Sequence, residues 1–518
     1  MEHSLELIRR LQQPDVWPDD VKRVDLIETH ISWVLLTGRW AYKIKKPVDL
    51  GFLDFTTLAR RDHFAHEELR LNRRLAPELY QDVIRITGTP EAPSFDRPGP
   101  LLEVAVRMRQ FEQERQLDRE LAAGSLCPDD LEEVADEVAA FQETAPRAEA
   151  ADSYGTPEAV MEPVRENFED LRVACADLSD ISASIERLAS FSEQAGRALT
   201  GTFDTRRAGG FIREGHGDLH LANLTRLPEG IRAFDCIEFS PDLRWIDVVA
   251  DIAFLVMDLA MKRREDLAWT FLNAWLTRTG DYQGLATLRF YWLYRTMVRA
   301  KVSALRRNQQ MPGEGREASE ASLRDHLHHG ETLTTALRPR LVLTHGVSGS
   351  GKSWLARRLA AKGGFVHLRS DVERKRLFGL RADARTQADL GSGLYAPEVS
   401  ARTYERLAEI AGSVLDASLG VIVDATFLKA AHREPFLELA RARGLEPVVL
   451  TLDAPQAILE DRVRARLAAG TDPSEADVDV LRGQLAEREH PRKDPDVRII
   501  EVESSDTPDI DSLAARLR

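Results

Sequence analysis

Three observations in the sequence predict an α+β domain followed by an α/β domain with a parallel sheet. At 518 residues the chain is too long for one hydrophobic core. Residues 25–110 mix two-residue alternation with a helical period in no regular order. From Arg340 onward, short apolar runs alternate with helix-like segments, the order of a parallel sheet covered by helices on both faces.

The elements follow from local pattern. Ile31 to Thr37 is largely apolar with β-branched Ile31, Val34 and Thr37, and Trp40 to Val48 alternates, so both read as strands. Leu58 to Leu75 has a helical period, and Leu101 to Met108 reads as a further strand. Residues 128–200 are charged and helical, with Asp129 or Asp130 as a cap. Short strands and loops return over 212–240. Residues 246–308 are again helical, and Phe290, Tyr291, Trp292 and Tyr294 read as helix-packing core. The polar stretch Arg307 to His329, with Pro312, Gly313 and Gly315, reads as a linker or a frayed helix. The expected organisation is therefore a domain over 1–306, a linker over 307–338 and a second domain over 339–518.

Apolar content of 43% and charged content of 30% fit a soluble globular protein. The net charge of −15 is uneven: residues 341–518 carry 26 basic and 28 acidic residues, which leaves −13 on the first 340. An acidic body weakens long-range attraction of polyanions. Cys127, Cys175 and Cys236 lie far apart, with neither metal-ligand spacing nor a disulfide framework. No apolar run is long enough to span a bilayer, and no signal core follows Met1, so the expected address is the cytoplasm, with no membrane partner. Oligomeric state is not legible.

Leu341 to His345 is a buried-strand run. Gly346-Val347-Ser348-Gly349-Ser350-Gly351-Lys352-Ser353 follows, and then an amphipathic helix from Trp354 to Ala361. This is a Walker A P-loop in its required strand-loop-helix setting. Gly346, Gly349 and Gly351 let the backbone amides, including those of Ser348 and Ser350, turn toward phosphate at a helix N-terminus. Lys352 can reach the β and γ phosphates, and the Ser353 hydroxyl can ligate Mg²⁺. Val421 to Asp424 is an apolar strand ending in a carboxylate suited to hold that Mg²⁺. Asp371 follows the strand Phe365 to Leu368, where ligands of open α/β sheets bind, and can accept the proton of an attacking hydroxyl. Arg374 lies one turn on. Arg462 and Arg466, at i, i+4, can close over a transferring phosphoryl group.

This domain resembles the small P-loop kinases, the group of gluconate kinase, polynucleotide 5′-kinase and the zeta-type toxins. The resemblance implies that Ser370-Asp371-x-x-Arg374 is the acceptor side. It also implies that Asp424-Ala425-Thr426 with Arg433 is the D-x-T…R segment, with Arg433 contacting substrate. Arg462 and Arg466 fall at the place of the lid arginines.

A second constellation lies upstream. His216-Gly217-Asp218-Leu219-His220-Leu221-Ala222-Asn223 fits H-x-D-x-x-x-x-N, in which the Asp handles the acceptor hydroxyl and the Asn turns back to ligate metal. Ile231 to Phe234 leads to Asp235, a second metal ligand. Ala41-Tyr42-Lys43 puts a small residue and a lysine on one strand face, with Lys45 as the rival. Glu68, with Glu67 as the alternative, can pair with that lysine. His220 reads as a structural loop histidine.

Residues 25–310 resemble the aminoglycoside phosphotransferase and choline kinase group. The resemblance implies a protein-kinase-like, two-lobed fold, with Asp218 as catalytic Asp and Asn223 and Asp235 on metal. Asp247 to Ala253 resembles its D-P-x-x-D-L-A segment, without the Pro and with one extra residue. The adenine edge is then expected to meet backbone near Arg109 and Gln110. No G-x-G-x-x-G is present.

Together the two resemblances imply a two-headed phosphotransferase using ATP and Mg²⁺. One head would act on a small-molecule hydroxyl, the other on a hydroxyl of a metabolite or a nucleic-acid 5′ end. The alternatives are a single active kinase regulated by a nucleotide switch or pseudokinase partner, and a nucleic-acid end-repair 5′-kinase.

Overall fold

The computed structural model describes all residues except 1, 52, 96, 336–337, 383, 385–395, 470–475, 493 and 518. It divides into two compact units. The first is formed by residues 1–130, 140–163 and 203–255, the second by 131–139, 164–202 and 256–518.

The first unit opens with six strands: β1 (Asp25–Glu28), β2 (Ser32–Leu36), β3 (Trp40–Lys45), β4 (Tyr80–Thr89), β5 (Ala92–Phe95) and β6 (Leu101–Arg109). They form one antiparallel sheet in the order β1-β2-β3-β6-β4-β5. The sequence pattern finds β2, β3 and β6, and misses β1, β4 and β5. The two-residue period sorts the side chains. Trp33, Leu35, Tyr42 and Ile44 meet Leu7, Leu11 and Trp17 on one face. Ala41, Val104, Val106 and Met108 lie on the other, with Ala65 of the helix Leu58–Asn72. Lys43 and Lys45 share the face of Ala41, so the sheet aims both at that helix. Further on, β7 (Ile212–Glu214), β8 (Leu224–Leu227), β9 (Gly230–Ala233) and β10 (Trp245–Asp247) make two ribbons, β7 with β10 and β8 with β9.

The second unit carries β11 (Leu341–His345), β12 (Phe365–Arg369), β13 (Gly420–Asp424), β14 (Val448–Asp453) and β15 (Arg498–Glu503). These are parallel throughout, in the order β12-β13-β11-β14-β15. Val342, Ile422, Leu450 and Ile500 pack against Leu355 and Leu359 of the helix Lys352–Gly363 and Leu513 and Leu517 of the helix Ile510–Leu517. The outer edge of β12 is closed by the helix Glu265–Thr279. Asn273 Nδ2 donates to Phe365 O (2.9 Å) and Asn273 Oδ1 accepts from His367 N–H (2.7 Å), as a neighbouring strand would.

The stretch read as a linker or a frayed helix holds an α-helix, Glu314–Thr334, that buries Ser319, Leu323, Leu327 and Gly330. It packs on the helices Leu285–Gln309 and Ser179–Ala198. Pro312 and Gly313 mark the turn between two packed helices. Residues 336–337 of the expected linker lie outside the described residues. Phe290 and Tyr291 are buried core, as their period suggested.

Candidate active sites

In the first unit a cluster of buried charges sits beneath β3. Lys43 Nζ lies 2.8 Å from Glu68 Oε1 and also pairs with Asp235. Lys45 Nζ lies 2.7 Å from Glu68 Oε2, pairs with Glu238, and stands over the Phe55 ring at 4.9 Å. Glu68 therefore holds both lysines, while Glu67 turns to Arg70 at 2.9 Å. Burial alone would raise the Glu68 carboxyl, but Lys43 and Lys45 outweigh it and hold the group at about 2. Burial opposes a charged Lys43, and Asp235 and Glu68 overcome that and raise its pKa. Glu238 was missed in the sequence, because its only signal is a long-range pairing.

The loop carrying Asp218 is fixed from below. Asp251, fully buried, accepts from the N–H groups of His216 and Gly217, each at 2.9 Å. Asp247 accepts from Arg206 Nη2 (2.8 Å) and from Val249 N–H (2.9 Å). The two aspartates of the D-P-x-x-D-L-A-like segment thus anchor the loop and the start of the helix Val248–Met261. Gly217 has φ +86°, and a Cβ there would meet Leu243 O at 2.8 Å, so only glycine lets the loop turn. Asn223 Nδ2 donates to Asp218 O and to Asp218 Oδ2, both at 3.0 Å, which leaves Asn223 Oδ1 for a cation. Asp235 adopts φ +64°, a strained backbone for a non-glycine residue, and keeps its carboxylate 42% exposed. His220 Nε2 lies 3.4 Å from Asp218 Oδ2 and packs edge-on to Phe254.

The N–H groups of Arg109 and Gln110 donate to Leu79 O (2.8 Å) and Arg39 O (3.0 Å), so these two donors are taken up within the sheet. The first bond lies on the β4 side of β6 and the second on the β3 side.

In the second unit the P-loop joins β11 to the helix Lys352–Gly363. Gly349 takes φ +83°, and a Cβ there would meet Leu459 O at 2.7 Å. Gly346 N–H donates to Thr426 O (3.1 Å), and Thr344 Oγ1 donates to Ala425 O (2.8 Å). The Asp424-Ala425-Thr426 segment is thereby fastened beside the P-loop. Lys352 Nζ donates to Val347 O at 2.7 Å. Burial lowers Lys352 to about 8; Asp424 and Asp371 oppose the fall and Arg466 and Arg488 add to it. That electrostatic neighbourhood gathers four of the groups around the lysine. Asp424 is driven up by burial but held at about 2 by His367 (Nε2 at 3.2 Å), Arg369 and the Ser353 hydroxyl. Asp371 Oδ1 accepts from Arg374 Nη1 at 3.0 Å.

Three arginines resolve differently. Arg433 Nη1 donates to Phe427 O (2.6 Å) and Glu489 O (3.2 Å) and is buried, so it braces a loop instead of presenting to substrate. Arg462 Nη2 donates to Ser504 O (2.6 Å), where it ties the helix Gln456–Ala469 to the end of β15. Arg466 Nη2 donates to Ala476 O (2.7 Å), while its buried Nε has no hydrogen-bond partner among the described residues. The i, i+4 pair does not act as one face because the two side chains reach different neighbours. Arg488 was missed: it lies 3.0 Å from Asp453, its side chain is 6% exposed, and its Nε likewise has no partner among the described residues.

A family model described as an AAA domain matches residues 341–491. The uncharacterized protein Rv2004c of Mycobacterium tuberculosis is 32% identical to this chain over 454 residues, 87% of each chain. Among solved structures, a gluconokinase from Sinorhizobium meliloti aligns over 35% of this chain and 88% of its own, at 24% identity and a TM-score of 0.23. A choline/ethanolamine kinase family protein from Mesorhizobium loti aligns over 64% of this chain and 95% of its own, at 9% identity and a TM-score of 0.39.

Proposed function

We propose that this chain, which belongs to the family of the mycobacterial protein Rv2004c, is an ATP-dependent phosphotransferase with two centres, one in each unit. The observation that carries the reading is a pair of sets in the first unit, Lys43 held by Glu68 and Asp235 and Asp218 held by Asn223, joined where Phe234 N–H, next to Asp235, donates to Asn223 O at 3.0 Å. A lysine for phosphates, a carboxylate for a hydroxyl and two side chains for a cation are what phosphoryl transfer needs.

In each centre the acceptor oxygen bonds to the γ phosphorus as the bridging bond to the β phosphate breaks. ADP departs with that electron pair. The hydroxyl proton passes to Asp218 in the first centre and to Asp371 in the second. Mg²⁺, when bound, neutralises charge on the phosphates. Asn223 with Asp235, and Ser353 with Asp424, are the side chains to hold it. Among the described residues no three His, Cys, Asp or Glu converge as a metal site. Two protein ligands per centre suit an ion carried mainly by the nucleotide. The first acceptor is a small-molecule hydroxyl; the second is a metabolite or a nucleic-acid end. No described helix is long and apolar enough to cross a membrane, and we place the enzyme in the cytoplasm.

Equilibrium binding of ATP tests the reading. Two nucleotides per wild-type chain are expected, and one in each of Lys43→Ala and Lys352→Ala; a single site in the wild type rejects it. The switch reading of the P-loop draws on one contact: Gln484 Oε1 accepts from Ser348 N–H at 2.7 Å, where a phosphate oxygen would sit. It predicts ATP binding at Lys352 with no product from that centre.

A further inference from the structure

The second unit contains a cavity of about 600 Å³ that opens beside the P-loop serine. Ser353, His367 and Arg369 line it, and the latter two lie 3.2 and 3.9 Å from Asp424. The cavity thus reaches the place where a γ phosphate and its cation would be held. Its other wall comes from outside residues 341–491. Asn273, Thr277 and Arg278 of the helix Glu265–Thr279 contribute to it, as do Glu132 and Asp136.

That wall is built in. Asn273 closes the β12 edge through both ends of its amide. Arg376 Nη2 donates to Thr277 O at 2.7 Å, and a Cβ on Gly280 would meet Arg376 Nε at 2.7 Å. The helix is therefore seated on the P-loop sheet by specific polar contacts at both ends of the cavity wall.

The lining is cationic in a chain of net charge −15. Arg278, Arg357, Arg358, Arg369 and Arg381 face it. Among the described lining residues the carboxylates are Glu132, which pairs with Arg357 at 3.1 Å, and Asp136, and Arg369 lies 3.9 Å from Asp424. The volume is that of a small-molecule pocket. A trailing nucleic-acid strand would need an extended basic track, whereas Glu132 and Asp136 sit among the lining residues.

We infer that this cavity is the acceptor pocket of the P-loop centre, and that it takes a small anionic hydroxy-metabolite bearing a phosphate or a carboxylate. Arg278 and Arg381 grip the anion, and the hydroxyl is left toward Ser353 at the mouth of the P-loop, where Asp371, close enough to act on Lys352, takes its proton. The inference rests on the phosphotransfer reading of the P-loop and adds its substrate class and the outside helix that selects it.

The test uses the full chain saturated with Mg²⁺ and AMP-PNP, so that the phosphate cradle is filled. Titration calorimetry is run with a panel of sugar phosphates, hydroxy acids including 3-phosphoglycerate, their uncharged polyol counterparts, and a 5′-hydroxyl oligonucleotide. At least one anionic metabolite is expected to bind. Arg278→Gln and Arg381→Gln should each weaken it tenfold or more and leave AMP-PNP affinity within twofold, while Arg278→Lys restores part of the binding. If Arg278→Gln does not fold, Arg381→Gln decides alone. Binding of no anionic member, binding indifferent to these arginines, or binding of the polyols or the oligonucleotide in their place overturns the inference. AMP-PNP affinity at the P-loop that survives Lys352→Ala would instead defeat the underlying reading.

Discussion

Asn273→Ala offers the sharpest test of how the P-loop sheet is completed. The side chain makes two hydrogen bonds, 2.9 Å to Phe365 O and 2.7 Å from His367 N–H. Both backbone groups lie on an edge strand, and no neighbouring strand replaces the lost amide. A net hydrogen bond contributes about 1 kcal/mol, and a partly buried group left without a partner costs about 1–3 kcal/mol. The two bonds together are therefore worth about 2–5 kcal/mol to local closure of β12. Taking ~3 kcal/mol, the population of open β12 rises on the order of 100-fold, since ~1.4 kcal/mol is tenfold. Hydrogen–deuterium exchange of a peptide spanning residues 365–369 reads this directly, with peptides from β14 and β15 as internal controls. Faster exchange confined to β12 is expected. Unchanged exchange at β12, or an equal rise in all five strands, would refute the reasoning.

Other outcomes follow from the buried charges. Glu68→Gln should destabilise the chain by about 3–5 kcal/mol, because it leaves Lys43 and Lys45 short of a counter-charge, and should raise the KM for ATP at the first centre. Denaturant titration showing a loss below about 1 kcal/mol would sink this. Because the folded Glu68 carboxyl is depressed to about 2 from 4.5, its contribution is complete above the unfolded pKa and is lost as pH falls from there toward 2. Lys352 is the opposite case: burial lowers it to about 8 from 10.5. The charged lysine opposes folding below pH 8, and the penalty fades as pH rises from 8 toward 10.5. Lys352→Met should then stabilise the nucleotide-free chain at pH 7 by less than about 3 kcal/mol, since Val347 O loses its donor, while weakening ATP binding at that centre at least tenfold. A destabilised variant, or one that binds ATP normally, would contradict this. Arg433→Ala should cost about 1.5–3 kcal/mol for its charged hydrogen bonds and leave acceptor KM unchanged; a raised KM at wild-type stability would restore its substrate role.

Much of the architecture was legible because it is written locally. The P-loop needs glycines at fixed spacing between a strand and a helix, and Leu341 to Ala361 supplies all three in one run. Asp218 and Asn223 are five residues apart for a mechanical reason, visible in the bonds from Asn223 Nδ2 to the Asp218 carbonyl and carboxylate. Period two puts Lys43 and Lys45 on one face, and the structure uses both. The rest depends on long-range encounters. Glu238 meets Lys45 across almost two hundred positions, and Asn273 caps a strand from a different part of the chain. Arg462 and Arg466 share a helical spacing, yet their long side chains bend to separate carbonyls. The helix Glu314–Thr334 was obscured by its many charges, although Ser319, Leu323, Leu327 and Gly330 trace one face. A Cβ on Gly330 would meet Met297 Cε at 2.8 Å, which is how closely that helix is packed.

The central claim is that two independent phosphotransfer centres occupy one chain. Mass spectrometry of phosphorylated products formed from a metabolite extract and ATP, with wild type, Asp218→Asn and Asp371→Asn, tests it most directly. The account predicts two sets of products, one lost in each variant while the other persists. A single product set abolished by either substitution, or products insensitive to both, would contradict it.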